Sequence, residues 1–205
     1  MSAVSGSSSI RRYATAALCA LTVAVGAAGS TFAARAQAPA SIMIVARKGL
    51  PDPSFAGSVV LVLNDLGPGP IGVIVNRPMP LPVSRLFPQF KRLAAAPDSV
   101  YFGGPVDFGS VWFLFRAAKP PAHAIEACAG VYMSSDPDLL HRLLGRRAPM
   151  AGLRIFVGHA GWAPGQLQAE VTRGDWKLER ASPAAIFGGE PQHPWPAPKR
   201  PGNAI

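Results

Sequence analysis

Residues 155–170 read Ile-Phe-Val-Gly-His-Ala-Gly-Trp-Ala-Pro-Gly-Gln-Leu-Gln-Ala-Glu, and this stretch decides the fold prediction. The apolar run Leu153 to Val157 is typical of a β-strand. Gly158 and Gly161 follow it and predict a turn with positive φ or a close backbone approach. Pro164 favours a helix start, because proline lacks only an amide hydrogen that a first helical turn leaves unpaired. We therefore expect a strand, a turn and a helix in direct succession.

Working outward, short segments rich in apolar and β-branched residues predict further strands at residues 41–46, 58–63, 71–75, 100–102, 111–115, 131–133 and 176–178. Helical spacing predicts a helix near residues 86–93 that is interrupted at Pro88, a second that Ser135 caps, and a short one that Ser182 opens. Strands and helices do not alternate regularly. This order predicts an α+β fold with a mixed, mostly antiparallel core.

Residues 1–38 have the features of a signal peptide. Arg11 and Arg12 precede the uncharged, alanine-rich run Tyr13 to Ala28, and Ala36-Gln37-Ala38 matches a cleavage site. We expect residues 39–197 to form one domain and residues 198–205 a flexible tail, with no stable membrane anchor after cleavage. Sec and twin-arginine export both remain open, as does an unused start codon upstream of a domain that begins near Ser41.

The sequence lacks the motifs of common catalytic and metal sites. The four histidines are scattered, and no C-x-x-C, H-x-x-E-H or G-x-S-x-G pattern occurs. We therefore predict no metal and no cofactor. The net charge is +9, but basic residues occur at most in pairs, which disfavours nucleic acid as a partner.

Several single residues allow two interpretations. His159 could titrate on a ligand or be a hydrogen-bonded structural residue. Arg77 could hold a carboxylate of the protein or of a ligand, and Trp162 could pack the turn against the core or stack on a ligand. Asp52 favours an Asx-type turn. Cys128, the single cysteine after residue 38, is typical of a small buried residue.

Four ordered blocks, residues 49–60, 72–78, 101–106 and 158–167, together resemble the YqgE/AlgH family, also called UPF0301 or DUF179. The resemblance implies a compact α+β domain with a partly closed, barrel-like mixed sheet flanked by helices. Members have no settled activity and are described as cytosolic proteins or suggested transcriptional regulators. This sequence departs from the family's usual residues at His159, Ala163 and Gln168, where Tyr, Gly and Glu are usual.

From these observations we predict a non-enzymatic module of the cell envelope, periplasmic or secreted, that binds a protein or small-molecule partner. Its crevice would be lined by the strand-end residues Asn76, Arg77, Gly103, Gly104, His159, Gly161, Trp162, Gly165 and Gln166. Two alternatives stay open. One is a cytoplasmic transcriptional regulator, and the other is a hydrolase of unknown substrate that uses Asp52, His159 or Glu170.

The export prediction is tested on the protein isolated from its native host. If the leader is removed after Ala38, mass spectrometry gives a chain of residues 39–205 and fractionation finds it outside the cytoplasm. A full-length cytoplasmic chain that binds nucleic acid with a steep salt dependence would instead favour the regulator.

Overall fold

Ten β-strands dominate residues 41–64 and 68–188, which are the residues that this computed structural model describes. The predicted signal peptide and the tail from residue 198 lie outside them. The strands are β1 (Ser41–Ala46), β2 (Val59–Leu63), β3 (Ile71–Ile74), β4 (Pro78–Pro82), β5 (Ser99–Phe102), β6 (Val106–Arg116), β7 (Ile125–Cys128), β8 (Val131–Ser134), β9 (Leu153–Gly161) and β10 (Trp176–Glu179).

Four short α-helices flank the strands: α1 (Val83–Leu86), α2 (Pro137–Leu144), α3 (Gln166–Arg173) and α4 (Pro183–Phe187). Two 3-10 turns, Pro53–Phe55 and Lys91–Ala95, complete the elements within the described residues. The predicted helix near residues 86–93 is therefore split into α1 and a separate 3-10 turn on either side of Pro88, because proline interrupts a helical ladder.

The strands form one sheet in the order β10-β1-β2-β3-β9-β6-β8-β7, and β4 joins it through β5, which also pairs with β9. The pairings are antiparallel except that between β5 and β9, which is parallel. The sheet curves into a half-barrel. The predicted α+β fold with a mixed, mostly antiparallel and partly closed sheet is confirmed.

Strand β9 joins the two halves of the sheet. One of its edges pairs with β6 along most of its length, with Phe113 opposite Ile155. Its other edge pairs first with β5, where Tyr101 lies opposite Phe156, and then with β3, where Gly72 lies opposite Ala160. Strand β9 therefore connects three groups of strands: β10-β1-β2-β3, β6-β8-β7 and the β4–β5 pair.

Apolar residues on both faces of the sheet are buried. In β2, Leu61 packs into one core cluster while Val60 and Val62 pack into another on the opposite face. Ile186 of α4 covers the first face, and Leu167 of α3 contacts the second. A strand that is covered on both faces is apolar throughout, which explains why the β2 sequence does not alternate.

The half-barrel stays open between β7 and the β1–β10 edge, where a cavity of about 740 Å³ lies. The Ser41 hydroxyl donates a hydrogen bond to the Ala127 carbonyl across this opening. Cys128 lines the cavity and is half-buried rather than buried as predicted. Burial raises the pKa of its thiol, the charge of Glu126 adds to this effect, and Arg116 opposes it.

Two predicted boundaries around β9 are wrong. The strand continues through Gly158 to Gly161 instead of turning, because residues after Gly158 still pair with β3 and β6. Gly158 adopts a φ of 69° inside the strand. Helix α3 begins at Gln166 after Gly165, whose φ is 78°, so Pro164 is not its first residue.

Other corrections concern elements with weak local signals. The strands β4 and β7 were not predicted, and β6 begins at Val106 rather than at Val111. The proline-rich β4 pairs only with β5, in keeping with the confinement of proline to sheet edges. Asp136, not Ser135, caps α2, because its carboxylate accepts the Leu139 amide at 2.6 Å.

The packing predicts a contrast between two phenylalanines. Phe156 of β9 is fully buried, so Phe156→Ala should lower the free energy of unfolding by about 3–5 kcal/mol. Phe108 of β6 is 58% exposed, and Phe108→Ala should change it by about 0.5 kcal/mol or less. Urea unfolding of both variants measures the difference, and equal losses would contradict this assignment of the core.

Candidate functional site

Strands β3, β5 and β9 meet at Gly103. Its amide donates to the Val157 carbonyl at 2.9 Å, and its carbonyl accepts the Ile74 amide at 2.8 Å. A Cβ atom on Gly103 would lie 2.1 Å from the carbonyl oxygen of Gly158, so only glycine fits this backbone contact. The close backbone approach that the sequence predicts at Gly158 is confirmed here.

Gly104 continues this contact and places it beside His159. Its φ is 154°, and a Cβ atom there would lie 2.3 Å from the carbonyl group of His159. On the opposite side, a Cβ on Gly158 would lie 2.6 Å from the Gly104 carbonyl oxygen. We call the contact of Gly103–Gly104 with Gly158–His159 the glycine crossing.

Asn76 follows β3 and makes its hydrogen bonds inside the protein. It is buried, its side-chain oxygen accepts the Val59 amide at 2.9 Å, and its side-chain nitrogen donates to the Gly57 carbonyl at 3.0 Å. Asn76 thereby ties the loop before β2 to the end of β3. Asn76 therefore supports the predicted crevice from inside the protein.

Arg77 begins a row of stacked side chains on the surface. Its guanidinium carbon lies 4.3 Å from the ring centre of Phe102, and Nη1 donates to the Ser54 carbonyl at 3.3 Å. The Phe102 ring lies 5.6 Å from the ring of Phe108. Arg77, Phe102 and Phe108 form what we call the aromatic row, in which Phe102 is half-buried and Phe108 projects into solvent.

A local irregularity in β6 pushes Phe108 outward. The pairing of β6 with β9 shifts register after Val106, and Asp107 adopts a positive φ of 46°. The Ser110 hydroxyl donates to the Asp107 carbonyl at 2.8 Å and closes the bulge. Val106 beside it is 41% exposed, so the bulge presents two apolar side chains to solvent.

Beneath this bulge lie two buried ring nitrogens without hydrogen-bond partners. These are Nδ1 of His159 and Nε1 of Trp112, whose rings are 5.8 Å apart. Buried polar atoms are nearly always partnered, so such a pair is unusual. Nδ1 of His159 therefore does not make the hydrogen bond that the structural interpretation of this residue would give it.

Trp162 lies in the core and not in an open crevice. It is 6% exposed, its indole N–H donates to Oε2 of Glu170 at 3.0 Å, and the indole of Trp176 donates to the same oxygen at 2.8 Å. The ring of Phe55 packs against both indoles. Of the two interpretations for Trp162, the geometry matches packing of the corner against the core.

Gly165 and Gln166 belong to the same segment as Trp162, at the start of α3, which we call the α3 corner. Both are exposed at the start of α3, where the Gln166 side chain accepts the Ala163 amide at 3.0 Å and donates to Glu170 at 2.9 Å. The two corners are linked through Pro53–Phe55, because Ser54 accepts from Arg77 while Phe55 packs on Trp162.

The structure therefore divides the predicted crevice into two groups. Asn76, Arg77, Gly103, Gly104, His159 and Gly161 surround the glycine crossing and the bulge, whereas Trp162, Gly165 and Gln166 form the α3 corner. Gly161 joins the first group because its Cβ position lies 4.0 Å from the Val106 side chain. The first group with the aromatic row is our candidate site.

The residues considered for hydrolysis do not form a catalytic group. Asp52 accepts the Ser54 amide at 2.8 Å in the predicted Asx-type turn, and Glu170 accepts hydrogen bonds on both oxygens. No hydrogen bond joins either carboxylate to His159 in the part of the chain that the structure describes. Among those residues there is also no cluster of three metal-ligating side chains.

Sequence reasoning missed Val106, Phe108 and Trp112 as members of this site. The one local signal was an isolated apolar residue between Asp107 and Gly109, two residue types that favour turns. The exposure of Phe108 depends on the register shift with β9, which lies some fifty residues further along the chain. No local pattern encodes that pairing.

The fold and the site together define an α+β half-barrel with a solvent-facing aromatic row beside a crossing of glycines. The family model described as AlgH-like (DUF179) matches residues 43–200. UPF0301 proteins of Streptomyces avermitilis and Mycobacterium leprae are 34% and 32% identical over 164 residues, which are 75% and 76% of this chain and 81% and 78% of theirs. The chain belongs to the AlgH-like, UPF0301 family.

Solved structures agree with this assignment. The solution structure of the AlgH protein from Pseudomonas aeruginosa has a TM-score of 0.59 at 28% identity and covers 74% of this chain and 82% of its own. The crystal structure of the protein DIP2367 from Corynebacterium diphtheriae has a TM-score of 0.58 at 27% identity and covers 74% and 80%.

The shared acceptor at Glu170 gives a test of the α3 corner. Glu170→Ala leaves two indole N–H groups without their acceptor, so we expect the free energy of unfolding to fall by about 2–4 kcal/mol. Gln168→Ala, an exposed change on the same helix, should cost about 0.5 kcal/mol or less. Urea unfolding measures both, and a Glu170 variant as stable as the control would contradict a locking role.

Proposed function

We propose that this protein is a non-enzymatic binding module of the cell envelope that docks a protein partner on the aromatic row and the adjoining bulge. The observation that carries the proposal is the exposure of both Val106 and Phe108, two residues apart on the bulged segment of β6. Exposed apolar side chains that are contiguous, and not scattered singly, are characteristic of interaction surfaces.

The chemistry around the bulge supports recognition. Arg77 stacks on Phe102 at one end of the row, and arginine and aromatic residues are the types that carry most of the binding energy in protein interfaces. The unpartnered nitrogens of His159 and Trp112 lie under the bulge. A partner that shifts the bulge slightly would give them hydrogen-bond partners.

A binding role accounts for the site better than hydrolysis does. A hydrolase needs a nucleophile, a base and a group that orients the base. Here Asp52 and Glu170 are engaged in local backbone and indole hydrogen bonds, and Nδ1 of His159 has no orienting partner.

The envelope location rests on the predicted leader, residues 1–38. None of the helices in residues 41–64 and 68–188 has the length and hydropathy that crossing a membrane requires. The competing proposal is a cytoplasmic regulator, as suggested for the family. The measurement of the mature N-terminus separates the two proposals, because chromosomal DNA is in the cytoplasm and an exported protein cannot bind it there.

Substitution of the exposed phenylalanine tests the surface. Phe108→Ser should weaken capture of the partner by roughly 30-fold, the effect typical of losing a central aromatic anchor. Leu178→Ser is the matched control, because Leu178 is 49% exposed on β10, a strand far from β6 in the sheet order. The partner is first trapped by a photo-crosslinking residue at position 106, and its affinity is then measured by titration.

Thermal unfolding of each variant confirms that the fold is intact before affinities are compared. Equal affinities of the Phe108→Ser variant, the Leu178→Ser variant and the unsubstituted protein would refute the proposed surface. Arg77→Ala should weaken the same complex, and a loss confined to that variant would move the interface to the Arg77 end of the row.

A further inference from the structure

A second candidate binding site lies on the face of β5 opposite the aromatic row. Tyr101 and Phe102 are adjacent in this strand, so their side chains point to opposite faces of the sheet. On the Tyr101 side there is a cavity of about 390 Å³ that Asp98, Ser99, Gly152, Arg154 and Phe187 also line. This volume is within the range of small-molecule pockets.

Arg154 is held in a fixed orientation on the cavity wall. Its guanidinium carbon lies 4.8 Å from the ring centre of Tyr101 and 6.0 Å from that of Phe187. Nη1 donates to the Val75 carbonyl at 3.2 Å. A guanidinium group has five N–H donors, so the flanking rings set its plane while most donors remain available.

Within the part of the chain that the structure describes, no carboxylate forms an ion pair with Arg154. Burial lowers the pKa of its guanidinium group, and the charges of Tyr101 and Asp98 act in the opposite direction. Arg116 packs on the Phe187 ring at 5.1 Å and adds a second positive charge nearby. A half-buried cation normally has a counter-ion in direct contact. Here Asp98 acts on Arg154 through its charge alone, without a direct ion pair.

We infer that this cavity binds a small zwitterion, a free amino acid or a dipeptide, whose carboxylate pairs with Arg154 and whose ammonium group faces Asp98. The guanidinium fork matches a carboxylate with two parallel hydrogen bonds. Asp98 and Arg154 line the same cavity without an ion pair between them, which leaves room for a ligand that carries both charges. The Tyr101 and Phe187 rings flank its carbon atoms.

A carboxylate of the chain itself is the other possible source of this chemistry. Glu190 follows Phe187 by three residues and lies outside the described part of the chain. Both sources offer the same chemistry to Arg154. The experiment therefore needs one arm for an added ligand and another for the protein's own side chain.

The test is a titration of the purified protein followed by amide ¹H–¹⁵N NMR, with L-alanine, L-alanyl-L-alanine, acetate and methylammonium as probes. We expect the two zwitterions to shift the amides of Tyr101, Gly152 and Phe187, with acetate at least fivefold weaker and methylammonium without effect. Arg154→Gln should weaken L-alanine binding at least tenfold. Arg142→Gln, an exposed arginine on α2, is the control and should leave it unchanged.

Two further variants test which side chain binds each charged group of the ligand. Asp98→Asn should remove the preference for L-alanine over acetate while acetate still binds. Arg154→Lys keeps the charge but loses the fork, so it should also weaken binding severalfold and serves in place of Arg154→Gln if that variant does not fold. Affinities that neither Arg154 variant changes would overturn the proposed site.

Glu190→Gln separates the two sources of carboxylate. If L-alanine binds equally well to this variant and to the unsubstituted protein, the ligand comes from outside the chain, as inferred. If L-alanine binds only after Glu190 is replaced, the cavity belongs to the protein's own carboxylate and the inference is wrong. Absence of binding by every probe to every variant would also overturn it.

Discussion

The structure depends on the backbone contact at the glycine crossing. Gly103 donates to β9 and accepts from β3, so a single residue joins three strands through main-chain hydrogen bonds. No side chain fits there, because added Cβ atoms at Gly103, Gly104 and Gly158 would lie 2.1 to 2.6 Å from main-chain atoms of the facing segment. The close approach lets β5 run parallel to β9 while β3 takes over the same edge further along.

The same contact fixes the geometry of both candidate sites. Phe102 and Tyr101 precede the crossing on β5, and their alternation sends one ring to the aromatic row and the other to the Arg154 cavity. His159 follows it on β9 and lies under the β6 bulge. Because these side chains are attached to paired strands, their relative positions are set by the sheet and not by mobile loops.

The sequence predicted those features that depend on neighbouring residues. The strand at residues 41–46, the Asp52 turn and the Ser182 cap each follow from local chemistry, and the structure contains them. The fold class followed from the order of such elements. The close approach at Gly158 was also predictable, because closely spaced glycines after an apolar strand indicate a tight backbone contact.

What the sequence could not supply were features created by pairing between distant segments. The extension of β9 past Gly158 requires β3 and β6 as neighbours, and the exposure of Phe108 requires a register shift against the same strand. The role of Trp162 could not be decided from the sequence, because its hydrogen-bond acceptor, Glu170, lies on α3 and also accepts from Trp176. Local propensity does not predict such partners.

The late position of β9 in the chain has a consequence for biosynthesis. Eight of the ten described strands precede it, yet neither β1–β3 nor β6–β8 can join the other group until β9 is present. On the ribosome, the nascent polypeptide therefore carries separate hairpins with unpaired edges until residue 161 has emerged. Such edges invite intermolecular pairing, so this sheet is most exposed to aggregation before β9 has been synthesised.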